Sequence, residues 1–285
     1  MTTLTRTGTT PPDAGTGPAR SRARASARRV GALARAELRL LWRNRLALVY
    51  ALLTPPAAFL FAGFSDAFTG GETDGAVGAI IVTGVTVMAL GMAVYYNLVT
   101  AYVGRREEYV LKRLRTGELD DAEILAGTAV PSLALAWTQV AVALVVGAAA
   151  GVLATPANPL LVAAALVTGS LAFPLLAAAS SAMTRTVEMA QLTTAPGLLV
   201  PLPLCGLFAP IADLPPGLSD VARLMPLTPV VDLMRLGLLG VDQDGDRLGT
   251  AATFAAALPS LAVGAAWVVV GLLATRRWFR WEPRR

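Results

Sequence analysis

The sequence contains no histidine, a single cysteine and a single lysine, and charged residues fill only 15% of its 285 positions. Without histidine there is no imidazole base and no zinc site of the usual kind, and Cys205 alone can close no disulfide within the chain. The shortage of charge excludes more, because soluble domains carry about 25% charged residues. Here long windows contain no Asp, Glu, Lys or Arg at all. With 55% hydrophobic residues and a mean hydropathy of +0.59, the composition excludes an ordinary cytosolic globule and points to the membrane as solvent.

Six charge-free windows lie at about 46–64, 78–103, 124–150, 160–183, 190–209 and 250–275, each long enough to cross a hydrocarbon core of about 30 Å. Prolines 55, 56, 131, 174, 196, 201, 203 and 259 fall within them, and neighbouring helices can satisfy the carbonyls they free. Of the 24 basic residues, 21 fall in the 1–45, 104–123, 184–189 and 276–285 segments, leaving Arg223, Arg235 and Arg247 for the other side. Lys and Arg are retained in the cytoplasm. Both termini are therefore expected there, in a multi-pass protein of the cell membrane. Trp278 and Trp281, beside Arg277 and Arg280, suit an interfacial anchor after the last span.

Residues 1–27, rich in Thr, Pro, Gly, Ala and Arg, read as a disordered cytoplasmic tail, since they have too little apolar surface to offset ordering entropy. A twin-arginine signal at Arg28-Arg29 is disfavoured because charges interrupt the apolar stretch that should follow. Residues 28–45 instead place Arg35, Arg39 and Arg43 on one helical face, opposite Val30, Leu33, Leu40 and Leu41. The expectation is an amphipathic helix in the inner membrane interface, or else a cytosolic extension of the first span.

Two connections carry more than turns. The internal one, 104–123, has Leu111 and Leu114 at helical spacing and Glu108 four residues before Lys112. It reads as a short helix on the cytoplasmic surface, with basic and leucine side chains available to a protein partner, or as a plain positive-inside anchor. The external one, 210–249, alternates prolines with apolar segments of ten to twelve residues at 216–225 and 229–240. These are too short to span and read as two interfacial or re-entrant helices. Asp242, Asp244 and Asp246 resemble the start of a calcium loop, but Thr253 stands where its closing Glu belongs, so no metal is assigned.

The order of these parts, with Glu107, Leu111-Lys112-Arg113-Leu114-Arg115, Glu123-Ile124-Leu125-Ala126-Gly127, Gly206 to Pro210, Asp213-Leu214-Pro215, Pro226-Leu227-Thr228 and Val231 to Arg235, resembles the permease subunit of type-2 ABC exporters of the drug- and antibiotic-efflux kind. The resemblance spans roughly residues 28–277. It departs from the family at Tyr109-Val110, where Gly-Thr is often found, at Glu118, where Pro is common, and at Met225 and Pro229, where Asn and an aromatic are common. It implies an all-α polytopic membrane protein: six transmembrane helices, an N-terminal amphipathic interface helix and two short external re-entrant helices before the last span. Residues 28–277 would form the permease domain and 278–285 a cytoplasmic tail. It further implies that Glu107, Glu108, Leu111, Lys112, Arg113, Leu114 and Arg115 couple to a separate ATPase. Pro226, Leu227, Thr228, Asp232 and Arg235 would belong to an external cap.

No P-loop is present, because Lys112, the sole lysine, lies between Leu111 and Arg113 and not in G-x-x-x-x-G-K-[ST]. ATP and Mg are therefore expected through a partner P-loop ATPase in two copies, with no cofactor bound by this chain, no catalytic residue and no nucleic acid. An intramembrane enzyme would need carboxylates, histidines or an activated nucleophile at depth. An ion-coupled carrier would need an ionisable intramembrane residue. An ion-coupled or passive carrier, and a scaffold without transport, remain as alternatives. Asn97, Gln139 and Gln191 either line a pathway or bond neighbouring helices. The expected function is export of an amphiphilic or apolar compound by a permease dimer, identical or paired with a second permease.

Overall fold

The computed structural model describes residues 18–43, 75–116, 119–243 and 245–282, with the isolated positions 45, 49, 53 and 57. The expected first span, 46–64, thus lies almost wholly outside the described residues, as do 1–17 and 283–285. The regular structure is helical: α1 (Pro18–Arg43), α2 (Ala76–Glu107), α3 (Val110–Arg115), α4 (Asp121–Ala149), α5 (Pro159–Ser181), α6 (Ala190–Leu199), α7 (Pro201–Leu204), α8 (Leu218–Arg223), α9 (Thr228–Leu239) and α10 (Thr250–Trp278). Among the described residues the only β pairing is an isolated bridge between Val241 and Arg247.

Helices α2, α4, α5 and α10 are each long and apolar enough to cross a membrane, and they coincide with four of the charge-free windows. In hydrocarbon the helix is the natural state of such windows, because it satisfies every backbone group within the segment. The window at 190–209 is shorter than expected. Helical backbone continues from α6 through Val200 into α7 but stops at Leu204. That run rises about 22 Å, below the roughly 30 Å of a hydrocarbon core. Pro196, Pro201 and Pro203 each remove an amide donor. The boundary of the N-terminal tail also needs correction: α1 begins at Pro18, inside the segment expected to be disordered. Its Ala and Arg residues are strong helix formers, which outweighs their lack of apolar surface.

Helix α2 is the centre of the bundle, with 67% of its most apolar stretch buried, against 22–39% in α4, α5 and α10. Its middle, Ala89–Tyr96, is π-helical. There Tyr95 meets Phe173 of α5 edge to face, and its hydroxyl shares a 2.9 Å hydrogen bond with Ser180. Helix α10 packs along α5, α1 lies on α4, and α9 is wedged against α2, α5 and α10. Helices α5 and α10 run the same way, with Asn158 against Thr253 near their starts and Thr275 against Leu175 toward their ends, so the residues after α10 share the α3 end, where Lys112 meets Glu282, while α9 sits at the other. At that second end the Asn158 amide donates to Gly237 O at 2.8 Å. A Cβ on Gly237 would stand 2.8 Å from Val162 N, so the approach of α9 to α5 requires glycine.

Candidate functional site

At the first end, α2 closes at Glu107 because Tyr109 adopts left-handed backbone, φ 59° and ψ 14°. It is the only non-glycine residue with positive φ among those described. Helix α3 starts immediately after this turn. Leu111 is fully buried, Leu114 and Glu107 are half-buried, and Glu108, Lys112, Arg113 and Arg115 are exposed. Leu111 therefore anchors α3 to the bundle and is not available to a partner, which corrects the expectation from sequence. The periodicity located the leucines but could not say which surface they meet.

The charges of α3 turn partly toward the chain's own C-terminal residues. Lys112 Nζ lies 2.9 Å from Glu282 Oε1, and this carboxylate raises the lysine's pKa. Arg115 Nε lies 3.0 Å from Asp121 Oδ1, and its guanidinium sits 5.1 Å from the centre of the Trp281 ring. Trp281 meets Phe279 edge to face at 4.8 Å, and Phe279 meets Tyr102 of α2 at 5.8 Å. Trp281 thus packs on α3 in addition to any role as an interfacial anchor.

Two further attachments hold this end. Arg29 of α1 donates through Nε and Nη2, both at 2.9 Å, to the two carboxylate oxygens of Glu123. Glu123 also accepts the Asp120 amide at 3.1 Å, capping the start of α4. Arg35, Arg39 and Arg43 are exposed along α1. Arg106, although fully buried, donates to the carbonyls of Ser181, the last residue of α5, and of Thr184 just beyond it. A cation there complements the helix dipole. The sequence reading counted Arg106 as a loop charge and took Glu123 only as part of the family resemblance, although the D-x-x-E spacing of Asp120 and Glu123 signals a capping box.

At the opposite end, α8 and α9 match the two expected short helices, but the residues assigned to an external cap are not an exposed lid. Leu227, Thr228 and Asp232 are buried, and Pro226 and Arg235 half-buried. Thr228 Oγ1 donates to Ala222 O at 2.6 Å, tying α8 to α9. Arg235 donates to Gly206 O at 2.6 Å. Asp232 accepts Gln243 Nε2 and, at 3.1 Å, Ser260 Oγ of α10. Burial raises its pKa to about 6 against the pull of these donors and of Arg235 and Arg223. Asp232, Arg235, Arg223, Gln243 and Ser260 wall a cavity of about 240 Å³.

Of the three amides singled out, Asn97 Nδ2 donates to Ser132 Oγ of α4 at 3.0 Å, an interhelical bond. Gln139 is half-buried and Gln191 exposed, and the structure does not bring the three together. Between α4, α5 and α10, toward the α3 end, runs an apolar groove of about 650 Å³ walled by Leu125, Leu133, Leu171, Leu175 and Leu272, with Asp121 and Arg276 at its charged margin. The acidic turn after α9 closes on itself, with the Asp246 amide donating to Asp242 Oδ1 at 2.9 Å.

A multi-pass helical bundle with charged, helix-bearing connections at one end and a buried short helix at the other has the build of a transport permease. The family model described as ABC-2 type transporter matches residues 28–239, and the chain belongs to that family. It is accordingly the membrane permease component of an ABC transporter. Such components lack a nucleotide-binding domain of their own and work with a partner ATPase. No curated protein matches the chain.

Proposed function

We propose that this permease is an exporter subunit that moves an amphiphilic or apolar compound out of the cell. Two copies of a P-loop ATPase supply ATP and Mg, and a second permease chain, most simply an identical one, completes the membrane part. The observation that carries the reading is α3: a short charged helix hung directly from the central span α2, with Glu108 and Arg113 exposed and Leu111 locked into the bundle. A push on that exposed face is delivered through Leu111 to the bundle and, across two residues, to α2. The apolar groove with Asp121 and Arg276 at its margin supports an amphiphilic cargo.

The test is to purify the tagged chain in mild detergent from its host's membranes, beside Arg113→Glu. A P-loop ATPase should accompany the wild type and be lost from the variant while membrane insertion is unchanged. Absence of any ATPase from the wild type would defeat the coupling. Transport in sealed vesicles separates this reading from an ion-coupled carrier: the exporter needs ATP without a pH gradient, whereas a carrier needs the gradient.

A further inference from the structure

Resting on the ATPase-coupled reading above, we infer that the segment after α10, Phe279–Glu282, joins α3 in one composite docking surface for the partner ATPase. Helix α3 alone is six residues long and turns Leu111 inward, leaving a small exposed strip. A stable interface covers about 800 Å² on each partner, more than such a strip offers. The C-terminal segment extends it without a break. Lys112, Arg115 and Thr116 on one side and Arg280, Trp281 and Glu282 on the other wall a hollow of about 690 Å³.

The surface is preformed. Phe279 is held between Tyr102 and Trp281, and the Thr275 hydroxyl donates to Leu175 O at 3.0 Å, fixing the end of α10 from which the segment leaves. Its chemistry suits a protein better than lipid headgroups. An anionic membrane surface attracts cations and repels carboxylates, yet Glu282 and Asp121 stand among the basic groups and Glu108 is exposed nearby. Arg and Trp are the residue types enriched where protein interfaces concentrate their energy. The complementary ATPase face therefore carries both signs, with carboxylates opposite Arg113 and Arg280.

Photocrosslinking in the native host tests this. A benzophenone amino acid replaces Arg280, Arg113 or, as a control at the opposite end, Phe254, and adducts are identified by peptide mass spectrometry. The expected result is that positions 280 and 113 capture the same polypeptide bearing G-x-x-x-x-G-K-[ST], and position 254 does not. Arg280→Glu should in addition lower the ATPase recovered with the purified chain by at least tenfold, with its elution profile and thermal midpoint unchanged. Capture from 113 but not from 280, or full ATPase recovery with Arg280→Glu, overturns the composite surface and leaves ATPase coupling standing. A phospholipid adduct at 280 overturns it in favour of a headgroup site. Absence of an ATPase adduct at both positions overturns the coupling itself and this inference with it.

Discussion

Helices α3 and α9 are both short, both lodged between spans and both introduced by a break in the chain, yet opposite physics holds them. Helix α3 is six residues with one fully buried side chain, and its remaining links are exposed ion pairs and an Arg–Trp contact. Helix α9 is twelve residues, nearly all of them buried, with its backbone against α5 and its single carboxylate bonded to Gln243 and Ser260. Exposed ion pairs contribute little to stability and are easily exchanged for other partners, whereas close backbone packing cannot be rearranged cheaply. The bundle thus keeps a replaceable set of contacts at the α3 end and a fixed one at the α9 end. Substitutions at α3 should change what the protein does before its stability, and those at α9 the reverse.

The largest effect tests the fixed end. Gly237→Val places a branched side chain where a single Cβ would already stand 2.8 Å from Val162 N. Overpacking of this kind costs about 1–3 kcal/mol or more. The variant should lose most of its monodisperse peak on size exclusion in detergent, whereas Arg113→Glu elutes as wild type and loses only the ATPase. Equal elution of both would end the contrast.

Next in size is Asp232. Its folded pKa of about 6 exceeds the value of about 3.9 in an unfolded chain, so the folded state holds the proton more tightly. The stability from this group is complete below about pH 4 and is lost as pH rises through about 6, a change on the order of 2–3 kcal/mol. Thermal midpoints of the wild type should fall between pH 4 and 7, and Asp232→Asn should flatten the curve. A wild-type midpoint that rises over this range would contradict the burial described.

Smaller again is the replaceable end. Lys112→Ala removes an exposed pair with Glu282 and should leave the thermal midpoint unchanged at any ionic strength. It should lower ATPase recovery and leave the remainder less sensitive to salt. A clear drop in midpoint would show that the pair is a structural strut.

The contrast was half legible in the sequence. Charge-free windows marked four spans to within a few residues, because a run of Leu, Val and Ala without charge has one stable state in hydrocarbon. Alternating prolines marked α8 and α9. The burial of α9 was hidden, since Asp232 and Arg235 read as surface residues until Gln243, Ser260 and Gly206 are brought to them by the fold. The same holds for Glu123, whose capping role is local but whose partner Arg29 is 94 residues away. Arg106 carries no local mark distinguishing it from Arg105. The early end of the 190–209 window could have been read from Pro196, Pro201 and Pro203, but three prolines within a membrane window are compatible with a kinked span as well as a stopped one.

The smallest expected effect concerns how each short helix is joined to the chain. Helix α9 ends at Gly240 with φ 66°, while α3 begins after Tyr109 with φ 59°, the same left-handed backbone on a residue with a side chain. Left-handed backbone costs an L-residue about 1–2 kcal/mol. Glycine relieves this but recovers less, because it loses more freedom on folding. Tyr109→Gly should therefore raise the thermal midpoint by about 2 °C, and Tyr109→Val, β-branched at the same φ, should lower it. Gly240→Ala should lower it too, since its Cβ meets Ala157 at 3.1 Å in addition to the strained φ. Tyr109 is exposed, and the left-handed backbone at it breaks the course of α2 before α3 begins. The relaxed glycine turn should then loosen the direction of α3, and Tyr109→Gly should hydrolyse ATP in complex with its partner while exporting less per ATP than the wild type. Unchanged export with a raised midpoint would show that the direction of α3 is set by Leu111 and the C-terminal segment, with the turn contributing nothing.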